Sequence, residues 1–169
     1  MISVDVCKVL VTTLVISHID YCNAVLFGLP DCLIKKLQRV QNCAAKLVLQ
    51  RNRFDAAAAL RELHWLPVKN RIRYKIALTV FKCLHDLAPE YLQNLLCVKS
   101  HARNLRSASV DAVFLEVPVC SRKTFLDRSF AVSGPSVWNK LPADLRSINN
   151  IANFKSSLKT FYCNQVFNI

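Results

Sequence analysis

Gly28 and Gly134 are the only glycines among 169 residues. Tight hairpin turns need a residue that tolerates positive φ, and loops that cradle phosphate need backbone with no side chain in the way. A chain this poor in glycine is a poor candidate for a many-turned β-sandwich or a Gly-rich nucleotide loop. Hydrophobic residues make up 53% of the chain, so there is ample apolar material for a core, and a disordered tail is excluded. One domain, or a small domain with an appendage, fits the length. The balance favours a mainly α fold.

Apolar spacing places the helices. A first helix is expected from about Val4 to Phe27, with Leu10, Val11, Leu14 and Val15 forming a broad apolar face and Gly28-Leu29-Pro30 stopping it. A second is expected from Asp31 to about Leu49. Its stripe of Leu33, Leu37, Val40, Ala44 and Leu47 recurs at steps of three and four. The short connection makes these two antiparallel neighbours. Asp55 suits the N-cap of a short helix through Ala56–Leu63, and His64-Trp65-Leu66-Pro67 breaks it. Val68–Leu87 follows with Ile72, Ile76, Val80 and Leu84 at four-residue steps, and Pro89 opens a short helix to about Val98. Lys99–Ser109 reads as a basic linker, and Val113–Val119, interrupted by Pro118, as at best a short edge strand. Ser133-Gly134-Pro135 is a turn signal before a helical turn carrying Trp138. A last helix spans about Asn150–Phe167, with Ile151, Phe154, Leu158 and Phe161 inward. The segments are 1–98, a helical bundle; 99–149, a basic linker with irregular or short-strand structure; and 150–169, the C-terminal helix.

The formal charge of +12 points to a polyanionic partner, and it has an address. Residues 1–30 carry a net −1, whereas residues 31–75 hold eleven basic side chains against Asp31, Asp55 and Glu62, a net +8. Solvated helices ordinarily mix acids with bases. Lys35, Lys36, Arg39, Lys46, Arg51, Arg53, Lys69, Arg71, Arg73 and Lys75 are therefore the candidate phosphate contacts. Trp65, Tyr74 and Trp138 have faces on which bases stack, although such residues more often pack in cores.

Candidate chemistry is sparse. Two-metal nucleotidyl transfer needs converging carboxylates, and no two acidic residues are adjacent. The 8 cysteines form no CxxC pair, and no secretory signal precedes them. Cys83, His85, Cys97 and His101 make the nearest approach to a metal set. Residues two apart on a helix do not face each other, which counts against it. Val9–Ile16 is far shorter than the ~20 residues that cross a bilayer. The expectation is an intracellular protein, nuclear or cytoplasmic and not secreted, with no enzymatic activity, no cofactor, no small-molecule substrate and no membrane.

Several strings resemble jockey-type LINE (non-LTR) retrotransposon reverse transcriptases. They are Ser17-His18-Ile19-Asp20-Tyr21-Cys22-Asn23, Lys36-Leu37-Gln38-Arg39-Val40-Gln41-Asn42 and Leu60-Arg61-Glu62-Leu63-His64-Trp65-Leu66-Pro67-Val68. Phe81-Lys82-Cys83-Leu84-His85-Asp86-Leu87-Ala88-Pro89 and Val137-Trp138-Asn139-Lys140-Leu141-Pro142 join them, and their order matches the stretch that follows the palm. The resemblance implies a thumb-like bundle over the first 98 residues, gripping RNA or DNA, followed by the family's C-terminal extension. The endonuclease, fingers and palm would lie upstream, so no catalytic residue carries over, and the chain is expected to be a truncated piece. Its first helix, lacking the palm, is expected to leave Leu10, Val11, Leu14 and Val15 partly exposed and to self-associate. A helical protein-interaction module and a translated transposon relic are the alternatives.

Overall fold

The computed structural model describes residues 3–50, 55–99, 113–118 and 128–167. The chain is mainly helical, and no strand occurs among the described residues. It gathers into two compact units, one drawn from Met1–Ile72 and Tyr162–Ile169, the other from Arg73–Phe161. Both boundaries fall inside helices and not at 98 and 149, where the sequence texture changes.

The first unit opens with α1 (Val4–Val11), whose first turn is capped by the Ser3 hydroxyl accepting from the Val6 amide. The expected continuous helix to Phe27 does not form. A π-helical segment, Thr12–Ile16, interrupts it before α2 (Ser17–Asp20). Side-chain competition for carbonyls supplies the cause. The Thr13 hydroxyl donates toward Val9 O and Leu10 O at 3.0 and 3.1 Å, and the Ser17 hydroxyl donates to Thr13 O. Such back-bonding loosens the ladder. The chain then leaves the helix at Tyr21, passes through left-handed Cys22 (φ 50°), and makes a single 3-10 stretch, Asn23–Leu26.

Helix α3 (Asp31–Leu49) has the bounds its sequence pattern implies and ends on left-handed Gln50. It packs against α1, with the Cys7 thiol 3.8 Å from Leu47 O. Its orientation differs from the expectation. Ile34, Gln41, Ala44, Ala45 and Val48 are buried, while Leu33, Val40 and Leu47 point outward. Hydrogen bonding turns the helix this way. Gln41, fully buried, donates from Nε2 to Leu66 O at 2.9 Å, and Gln38 Oε1 accepts from the Val68 amide at 2.9 Å. Gln38 Nε2 also donates to Gln41 Oε1 and Asn42 Oδ1, both at 2.9 Å, so the amides form one network. Helix α4 (Ala56–Glu62) carries the expected cap, Asp55 Oδ1 accepting from the Ala57 amide at 3.0 Å. It closes with left-handed His64, the Trp65 amide reaching back to Leu60 O at 2.8 Å.

Helix α5 (Val68–Leu84) ends three residues before the expected Leu87, on left-handed Asp86. The second unit contains most of it, with α6 (Glu90–Gln93), α7 (Phe130–Trp138), α8 (Ala143–Arg146) and most of α9 (Ile151–Phe167). Phe81 stacks on Phe154 at 4.3 Å between ring centroids, and Trp138 meets Phe154 at 5.8 Å. The expected turn at Ser133-Gly134-Pro135 is instead the interior of α7. Gly134 serves packing there: a Cβ would meet Val80 Cγ2 at 3.1 Å and Leu96 Cδ2 at 3.4 Å. The expected edge strand reduces to one antiparallel bridge, Val98 to Leu115, within described residues 113–118. Lys99–Ser109 lies outside the described residues except for Lys99.

Candidate nucleic-acid interface

Turning Gln41 inward fixes what α3 shows to solvent. Lys35, Arg39 and Lys46 sit four and seven residues apart, on one side of the helix, and span about 16 Å of its axis. All three are exposed, and none has a hydrogen-bonding or ionic side-chain partner among the described residues. Lys36 is also exposed but lies on a different side, beside Leu33 and Val40.

The remaining predicted contacts separate into distinct groups. Lys69 Nζ lies 3.1 Å from Asp31 Oδ1, with both side chains more than half exposed, a pair that water and salt readily loosen. Arg71 is committed more firmly. Its guanidinium grips Asp20 through both carboxylate oxygens, Nε on Oδ1 and a terminal nitrogen 2.6 Å from Oδ2, with both side chains mostly buried. That bidentate geometry holds α5 to the end of α2 and commits Nε and one terminal nitrogen of Arg71 to the carboxylate. Arg73 is half-buried and Lys75 exposed, both in the unit formed by Arg73–Phe161. Arg51 and Arg53 lie outside the described residues. Trp65 and Trp138 are 7% and 1% exposed, so their faces are not open to bases; Tyr74 is half-buried.

Sequence reasoning passed over two cations. Lys155 and Lys159 are exposed, one turn apart on α9, a helix without a single acidic residue. That missing acid was the available signal. Sequence reasoning also did not find Arg146, which is a buried structural cation. Its Nε donates to Leu141 O and its NH1 to Val113 O, each at 3.1 Å, while its guanidinium lies 3.9 Å over the Phe114 ring. Burial pushes its pKa down from the usual arginine value. Trp138 Nε1 donates to the same Val113 carbonyl at 2.9 Å, and Asn139 brackets Leu115, accepting from its amide at 3.0 Å and donating to its carbonyl at 2.8 Å. A side chain thus does the work of a neighbouring strand.

Cys83, His85 and Cys97, the described members of the cysteine and histidine set, do not gather into a metal-holding group. Cys83 is buried and its thiol is pushed up by desolvation; His85 packs its ring on Phe81 at 4.1 Å; Cys97 is exposed; His101 lies outside the described residues. Among the described residues no three His, Cys, Asp or Glu side chains gather to hold a metal ion. No helix among them is long and apolar enough to cross a membrane. No family model, curated protein or solved structure matches the chain.

Proposed function

We propose that the chain is a non-catalytic, thumb-derived part of a LINE-type reverse transcriptase that holds RNA or DNA through its phosphate backbone, without reading sequence. On this reading it acts inside the cell, nuclear or cytoplasmic, and brings no catalytic step of its own. The observation that carries the nucleic-acid reading is the α3 stripe: Lys35, Arg39 and Lys46, exposed, aligned and unpaired among the described residues. Cations with no ion-pair partner gain most from a polyanion, because binding releases counterions from the phosphates. The lineage rests on the ordered strings of the sequence.

The test is fluorescence anisotropy with a labelled RNA–DNA hybrid, titrated across salt. The logarithm of affinity should fall linearly with log salt, each phosphate contact adding about 0.9 to the slope. The Lys35→Glu/Arg39→Glu/Lys46→Glu chain should lose roughly three such contacts, which lowers affinity at low salt far more than at high salt. A folded wild-type chain that binds no hybrid at low salt overturns the reading.

A further inference from the structure

Helix α3 carries a second outward stripe, and it is apolar. Leu33, Val40 and Leu47 are 40%, 47% and 60% exposed, each seven residues from the next. Seven residues is nearly two turns, so the three form one row along the helix. The row lies about a third of the circumference away from Lys35, Arg39 and Lys46. Helix α1 and the π-helical segment after it, packed beside α3, add Leu10 and Leu14, four residues apart on one side, at 43% and 64% exposure. Aliphatic side chains left in water at this density mark a covered face.

We propose that a second copy of this chain covers this face, its α3 packing antiparallel on the first about a two-fold axis at Val40. The order of the row supports that occupant. A leucine stands seven residues before the valine and another seven after it, so antiparallel pairing sets Leu33 on Leu47 of the other copy at both ends and valine on valine at the centre. This is the self-complementarity an isologous interface requires. The area agrees. The five side chains expose on the order of 400 Å² of apolar surface, close to the apolar share of a standard interface of ~800 Å² per partner. Like charge on the two copies opposes it, an effect that salt screens; Lys36 borders the row, and its long stem can lie along the contact while its head stays in water. The inference does not depend on nucleic-acid binding.

Sedimentation of the full chain tests it, with far-UV circular dichroism confirming helicity. Wild type should sediment at twice its 19.2 kDa chain mass at micromolar concentration, and Val40→Asp should sediment as a monomer with unchanged helicity. A monomeric wild type, or a dimer that survives Val40→Asp, overturns the proposal. Should Val40→Asp not fold, Val40→Cys in a Cys22→Ser/Cys32→Ser/Cys43→Ser/Cys97→Ser/Cys120→Ser chain decides. Cysteines facing each other across the axis should form an interchain disulfide under mild oxidation, and the parent without Val40→Cys should not. No crosslink, or equal crosslinking in the parent, means that another surface or another protein occupies the stripe.

Discussion

Scarce glycine leaves a mark on single residues. Cys22, Gln50, His64 and Asp86 all take positive φ, and three of them close helices where glycine is the usual choice. An L-residue held there costs about 1–2 kcal/mol relative to its preferred backbone. His64 is exposed, so His64→Gly should raise stability by roughly 1 kcal/mol in urea unfolding, once glycine's larger unfolded-state entropy is set against the relief. An unchanged or lower midpoint would show that the imidazole contributes something the helix end needs. Arg146 makes the opposite case, a charge whose value lies in its shape. Two carbonyls and an aromatic face receive one planar guanidinium. Lysine keeps the charge but has neither the fork nor the plane. Arg146→Lys should therefore cost about 2 kcal/mol, as expected when a buried carbonyl loses a charged donor. Tryptophan fluorescence gives the readout, because Trp138 shares the Val113 carbonyl.

At the scale of elements, bounds were legible and orientation was not. The bounds of α3, the Asp55 cap and, within one residue, the start of α9 follow from proline, capping residues and apolar period, all of them local signals. Which side of α3 faces inward depends on two glutamine amides reaching Leu66 O and Val68 N, some thirty residues away. Hydrophobicity ranks glutamine as a surface residue, so Leu33, Val40 and Leu47 looked like the core. The same blindness hid the α7 interior, where Gly134 is needed for close packing against Val80. It also concealed the commitment of Arg71 to Asp20, because that pair is fifty-one residues apart. Gln41→Ala would leave the Leu66 carbonyl without its donor in a buried site, at a cost of about 1–3 kcal/mol. Urea unfolding should show that loss. A midpoint within experimental scatter of wild type would mean that water or a rotated Gln38 replaces the bond.

Across the whole molecule, the formal +12 is two quantities under one number. Some of its cations are spent on the fold: Arg146 is buried among carbonyls and Arg71 is closed on Asp20. Others face water and can take up phosphate. A general excess of positive charge attracts nucleic acid weakly from any side, whereas aligned cations contact successive phosphates together. Two charge-matched variants separate these cases. Lys35→Glu/Arg39→Glu/Lys46→Glu reverses the α3 stripe. Lys140→Glu/Lys155→Glu/Lys159→Glu reverses three exposed lysines elsewhere and lowers the net charge equally. If the stripe is the contact, the first variant should lose about three phosphate contacts from its salt slope, roughly 40-fold in affinity gain between 200 and 50 mM salt. The second should keep the slope and weaken binding only modestly. Equal losses would assign the attraction to the net field. A larger loss in the second would move the interface to α9, where the lack of any acidic residue makes Lys155 and Lys159 the next candidates.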